Sequence, residues 1–275
     1  MQNIEVWIFG ALAVILAAEI VAGRHRGIYS RNDYIVNGVC FVAGFMIRPA
    51  VMIVSAAAIA FLLPHEKATL HGVSFWQTVV VIVLLAEFGN YWVHRLSHQL
   101  KGKPFGDWLW RLHRTHHTGK YVNVLLHFRI NMFWAFVTPL TWITAAAIYL
   151  GQGEAALVAV LIFSLWGIVT HSHFRWDDPV RRHRVFGPAF RALEHVIISP
   201  GVHHSHHGFG RDGGNYRNYG IFLAIFDWMF GTLYIPQGRP SRYGIPDPTP
   251  YWAEEVFYPL YQADAKNSVS EKPAQ

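Results

Sequence analysis

Apolar residues run through this chain in five long stretches, 4–22, 34–63, 73–91, 132–150 and 154–170. A bilayer crossing needs about 20 such residues in a helix. The sequence therefore predicts an all-α integral membrane protein. Composition agrees: 52% of the 275 residues are hydrophobic and 15% charged, against about 25% charged in soluble domains. Disorder is excluded for most of the chain, and a single cysteine, Cys40, excludes a disulfide framework.

The first stretch has no lysine or arginine before it and ends in Arg24, His25 and Arg26. That pattern predicts a retained helix, since a signal peptide begins with positive charge. Thirty helical residues over 34–63 would measure about 45 Å, more than the roughly 30 Å hydrocarbon core. Either one helix tilts and kinks at Pro49, or two shorter segments form a re-entrant pair. Arg48 must then snorkel or find a partner. Gly151, Gln152, Gly153 and Glu154 form a minimal turn between the last two stretches, which predicts a helical hairpin.

The net charge is +6, and the basic residues cluster at the ends of apolar stretches. That placement favours a membrane surface over nucleic acid. Arg24, Arg26 and Arg31 follow the first stretch, Lys101, Lys103, Arg111, Arg114 and Lys120 the third, and Arg175, Arg181, Arg182 and Arg184 the fifth. Five crossings with the N-terminus outside put all these loops on the cytoplasmic side. Three regions are expected: a membrane region at 1–84, a catalytic region at 85–235 with two further crossings, and a C-terminal segment at 236–275. From His171 onward the chain reads as water-facing, and 262–275 as a polar tail. No repeat of fixed period is present.

Seventeen histidines are the anomaly, and most fall in clusters between His94 and His207. His94 and His98 are four apart, one face of a helix. His113, His116 and His117 form HxxHH, and the same spacing returns in His203, His206 and His207. His171 and His173 follow the last apolar stretch. Imidazole suits iron, zinc, copper and nickel. Nine histidines at matching positions (His94, His98, His113, His116, His117, His171, His203, His206 and His207) exceed the needs of one ion and predict two. Glu87, two helical turns before His94, is expected to orient a ligand ring through its second nitrogen. His204 points about 100° from His203 on a helix and is not expected to bind.

The order HxxxH, HxxHH, a single histidine, then HxxHH resembles the fatty acid hydroxylase and sterol desaturase superfamily over about 85–235. The family's acidic residue before the first motif is similar to Glu87. Its YWxHRxxH resembles Tyr91 to His98, its LHxxHH Leu112 to His117, and its PxxHxxHH Pro200 to His207. Asn123, Arg129 and Asp227 resemble further family positions. The resemblance implies transmembrane helices carrying a cytoplasm-facing helical cap with a histidine-rich dimetal centre. Two iron ions are implied, with zinc able to replace them in isolated protein. His173 departs from the pattern and is expected as a tenth ligand, ahead of His195 and His127.

Such a centre implies O2-dependent hydroxylation of a lipid or sterol-like substrate. Desaturation on the same metal frame is the runner-up, and a metal-binding transporter the reading from another class. Substrate is expected to enter from the membrane lipids, with Phe133, Trp134, Phe136 and Trp166 either lining its path or serving as ordinary lipid-facing or helix-packing aromatics. The sequence has no nucleotide, haem or iron–sulfur motif. Electrons must then come from a separate electron-transfer protein docking beside the basic cap, where Arg181, Arg182 and Arg184 serve either that docking or contact with anionic headgroups. No nucleic-acid partner is expected.

Overall fold

Residues 4–214 and 216–263 are described by a computed structural model; positions 264–275 of the expected polar tail lie outside them. Among the described residues four helices are long and apolar enough to cross a membrane: α1 (Ile4–Val21), α2 (Arg31–Leu62), α3 (Phe75–Gln99) and α7 (Gly153–His171). Between α3 and α7 come α4 (Asp107–His117), a 3₁₀ turn at Val124–Phe128, α5 (Trp134–Val137) and α6 (Pro139–Tyr149). After α7 come α8 (Asp177–Arg182), α9 (Gly187–Leu193), α10 (Pro200–His207), α11 (Ile225–Met229) and α12 (Trp252–Phe257). Among the described residues a short antiparallel pairing, Gly208–Phe209 with Arg242–Tyr243, and an isolated bridge between Ile197 and Leu223 accompany the helices.

The second apolar stretch is one helix rather than a re-entrant pair. A capping box starts α2: the Ser30 hydroxyl accepts from the Asp33 amide, and the Asp33 carboxylate accepts from the Ser30 amide. The helix then runs 32 residues with Pro49 inside it. Met46, Ile53 and Phe61 are 76%, 70% and 84% exposed. So much bare apolar surface on one helix calls for lipid around it.

The stretch at 132–150 does not form the single crossing that its hydropathy suggests. Thr138 is extended, and Pro139 starts a new helix. The residue before a proline disfavours the helical conformation, so α5 ends there. With 11 residues, α6 measures about 16 Å and is too short to cross alone. It packs on α3 where Gly89 leaves room: a Cβ there would stand 2.7 Å from the Pro139 ring.

Even so, α6 carries the chain to the end of the bundle remote from the histidines. There the Ala68 amide donates to the Tyr149 carbonyl and the Leu70 amide to the Leu150 carbonyl, each at 3.0 Å. The segments after α2 and after α6 thus meet at one end, and α3 and α7 both deliver histidines to the other. Glu19, a charge inside the first apolar stretch, is fully buried near the histidine end. Its carboxylate accepts from the His173 amide at 2.6 Å and the Val124 amide at 3.2 Å, tying α1 to the chain after α7.

The histidine end is closed by Arg129, whose side chain has no exposure. Its guanidinium donates to Asp33 of α2 at 2.7 Å, to Glu255 of α12 at 3.1 Å and to the Thr115 carbonyl of α4 at 3.1 Å. Removing one partner of a buried ion network leaves uncompensated charge and costs about 3–5 kcal/mol. Arg129→Met should therefore lose stability of about that size, read as a fall in the thermal midpoint in detergent; an unchanged midpoint would show the clamp is dispensable.

The layout also predicts sidedness. In a Cys40→Ser background, single cysteines at exposed Lys67 and Lys120 should react with an impermeant maleimide from opposite faces of sealed vesicles. Reaction of both from one face would overturn the layout.

Candidate metal centre

Nine of the seventeen histidines converge at the C-terminal ends of α3 and α7. One group is His94 and His98 from α3, His113 and His117 from α4, and His206 from α10; the other is His116, His171, His203 and His207. Within each group, one ring nitrogen per residue lies within 4.8 Å of all the others. The groups adjoin, with the His117 and His207 rings stacked at 4.6 Å between centroids. Helix geometry does most of this. The HxxHH spacing sends its first and last histidines to neighbouring positions one turn apart; in α4 the third, His116, then reaches the other group.

Second nitrogens show what these rings are built to hold. His94 Nδ1 lies 2.7 Å from the Tyr219 carbonyl, and His171 Nδ1 2.7 Å from that of Gly167. His206 Nδ1 lies 2.8 Å from the Arg217 carbonyl, and His116 Nδ1 3.3 Å from that of Arg129. A carbonyl only accepts, so each Nδ1 carries the proton and each Nε2 presents a lone pair. Yet His116 and His171 bring those Nε2 atoms to 3.0 Å from each other. Two lone pairs at that distance repel unless a cation lies between them. The buried Nε2 atoms of His94 and His98 have no hydrogen-bond partner at all. The donor set fits two transition-metal ions.

Burial and neighbouring imidazoles hold His113, His117, His203 and His207 well below the usual histidine range. They are therefore neutral at physiological pH, the form that binds metal.

Glu87 does not touch a ligand ring. Its carboxylate is fully buried and accepts from the Ile221 amide at 2.6 Å and the Phe222 amide at 3.2 Å. Asp227 likewise accepts from the Tyr219 and Gly220 amides at 2.8 and 2.7 Å. Between them these acids fix the turn whose Tyr219 carbonyl orients His94. Gly220 is needed there, because a Cβ would stand 2.5 Å from the Leu223 carbonyl oxygen. Arg129 acts similarly, its own carbonyl facing His116. Asn123 caps the 3₁₀ turn by accepting from the Leu125 amide and donates to Tyr29 at 2.8 Å.

His173 lies outside both groups, contrary to its expected place as a tenth ligand. α7 ends at His171, and Glu19 holds the His173 amide, so the ring turns outward, 3.3 Å from Arg239. His195 faces Trp228 and its Nδ1 donates to the Arg191 carbonyl at 2.7 Å, also away from the centre. His204 places Nε2 3.0 Å from the Ser172 carbonyl. His127 comes nearer, with its ring 5.2 Å from that of His171 and packed over Gly167, where a Cβ would meet it at 2.4 Å. Burial first, then the Arg48 charge, pushes His127 down to about 3.

A cavity of about 120 Å³ borders His94, His113, His116, His171 and His203, with His127 and Trp134 among its walls. Its other contacts are mostly apolar, from Val93, Leu112, Ile130, Pro139 and Ile221. Of the four aromatics expected along a substrate path, Trp134 alone borders it; Trp166 donates instead to the Ile198 carbonyl at 2.8 Å.

Comparison with known proteins adds context to this geometry. The sequence profile of the family described as fatty acid hydroxylase matches residues 79–232, more than half the chain. Alkylglycerol monooxygenase of Danio rerio is 26% identical over 84% of this chain and 47% of its own. Ornithine lipid hydroxylase OlsE of Rhizobium tropici is 30% identical over 59% of this chain and 43% of its own. A Delta(7)-sterol-C5(6)-desaturase of Nicotiana tabacum is 29% identical over 59% and 51%. The chain thus spans about half the length of each of these curated relatives. No solved structure matches it.

Elemental analysis of loaded protein should give two transition-metal ions per chain. His171→Ala should lose about one of them, while His173→Ala should keep both. Retention of both ions by His171→Ala, or loss of one by His173→Ala, would contradict the assignment.

Proposed function

The chain belongs to the fatty acid hydroxylase family, and on that premise we propose that it is a membrane-bound, O2-dependent dimetal oxygenase that hydroxylates a lipid or sterol-like substrate. The observation that carries the reading is the apolar cavity set directly against both histidine groups. We assign the nine histidines as the metal ligands, five for one ion and four for the other. Redox activity favours iron over zinc for this chemistry, since zinc has no redox step. Two iron ions, when bound, would supply the reduction of O2 and the attack on an unactivated C–H bond.

The protein's own residues hold, orient and exclude. The carbonyls of Gly167, Tyr219, Arg217 and Arg129 fix ring orientation, and Glu87 and Asp227 keep the Tyr219 carbonyl in place. The walls at Ile130, Trp134 and Pro139 keep water from the reacting carbon and accept an alkyl chain from the lipid side. The balance is R–H + O2 + 2 e⁻ + 2 H⁺ giving R–OH + H2O, so a separate electron donor is part of the reading. Region 85–235 supplies every ligand. The excess of lysine and arginine at the histidine end favours its facing the cytoplasm.

Lipid mass spectrometry of membranes with active protein and with His203→Ala tests the reading. A lipid gaining one oxygen only with active protein is expected. Loss of two hydrogens instead would establish the desaturase alternative, and no difference would overturn both.

A further inference from the structure

The two sides of the metal centre differ. The cavity touches His94 and His113 of the five-histidine group, together with His116, His171 and His203 of the other. His98, His117 and His206 do not border it. His98 instead packs against Trp110 at 5.2 Å between ring centroids and against Tyr216 at 6.1 Å. Trp110 also lies 5.9 Å from His117. Tyr216 is 57% exposed, and Trp110, although mostly buried, forms part of a surface pocket of about 220 Å³ with Lys101 and Arg114. A single layer of aromatic side chain therefore separates His98 from solvent.

The surface around that layer has the makings of a docking face. Phe105 is 97% exposed and Trp108 47%, and both lie on the segment after α3 and on α4, outside the four long helices. Exposed aromatics of this kind supply the anchors of protein interfaces. Within the pocket, Lys101 and Arg114 balance Asp107 and Asp247. Lys103 and Arg217 are exposed and form no ion pair among the described residues, Arg217 lying over the Tyr234 ring at 5.6 Å, so each adds a positive charge to a segment that flanks the Trp110 and Tyr216 layer. Of the arginines after α7, Arg182 and Arg184 are exposed but have no aromatic bridge to a ligand ring among the described contacts. Arg181 is buried in a network with Asp177, Asp178 and Glu194, which corrects its expected part in docking.

We infer that electrons enter through the Trp110–Tyr216 roof over His98, from a one-electron carrier protein that docks an acidic face on Lys103, Arg217, Phe105 and Trp108. This rests on the dimetal oxygenase reading. Two successive one-electron transfers oxidise two reduced carriers and supply both electrons of the hydroxylation balance, with the protons coming from water. Substrate occupies the opposite side, so carrier and lipid do not share an approach.

Two small reductants of opposite charge test the inference without knowledge of the natural carrier. Iron-loaded protein in neutral nanodiscs is reduced anaerobically by the flavin mononucleotide semiquinone, an anion, and by the methyl viologen radical, a cation. Loss of ferric absorbance is followed in each case. The anion should lose about tenfold or more in rate with Lys103→Glu/Arg217→Glu, since steering by local charge is worth that much. The viologen should gain, and both changes should shrink in high salt. Arg182→Glu/Arg184→Glu should change neither rate. Trp110→Leu should slow both reductants at unchanged iron content, with Trp110→Phe restoring them. If the Arg182/Arg184 variant carries the charge effect, or if neither pair alters the rates, the assigned face is wrong. Failure to load iron would instead overturn the oxygenase reading itself.

Discussion

Nine imidazoles pressed together, each with a ring nitrogen turned toward the others of its group, are the constraint on which the rest of this molecule depends. Left alone, such a cluster repels itself, and each ring would rather turn to find a donor. Four rings are prevented from turning because their Nδ1–H groups are committed to backbone carbonyls. The neighbouring chain is shaped to offer those carbonyls. α7 provides one within its last turn, and the turns around Arg217 and Tyr219 provide two more. The fold can be understood as scaffolding for oriented peptide groups as much as for side chains.

That scaffolding extends beyond the segment that matches the family. Asp33 and Glu255, which hold the Arg129 guanidinium, both fall outside residues 79–232. Arg129 meets His116 through its carbonyl and α4 through its guanidinium, so a displacement of α2 or α12 reaches a ligand ring through one residue. The capping box at Ser30 places Asp33 at the start of α2, and α12 presents Glu255 from the other end of the chain. Because Arg129 and Glu255 are fully buried, loss of either leaves the other charge uncompensated.

The histidine spacing carried most of the site in advance, because i, i+3 and i, i+4 relations on a helix need no tertiary information. Long apolar stretches likewise located the four long helices. The errors share a physical origin. Glu87 was expected to touch a ring, yet the ring took a backbone carbonyl, and carbonyls are identical at every position of a sequence. His173 looked close to the centre, but its placement depends on where α7 stops and on Glu19, 154 residues earlier. Hydropathy joined α5 and α6 because it does not register Thr138–Pro139. Arg181 was read as a surface charge although Asp177 and Asp178 precede it at helical spacing; what buries the group is Glu194, which joins the network only in the folded chain.

Gly167 shows how little material fixes the size of the cavity. His127 rests on the bare backbone of α7, in space that any other residue would occupy with a Cβ. One methyl group on the helix would drive the imidazole off its seat and alter the wall beside His171. Gly167 itself borders the cavity, so substrate range in such a protein is open to change by a single methyl group at a position that supplies no metal ligand.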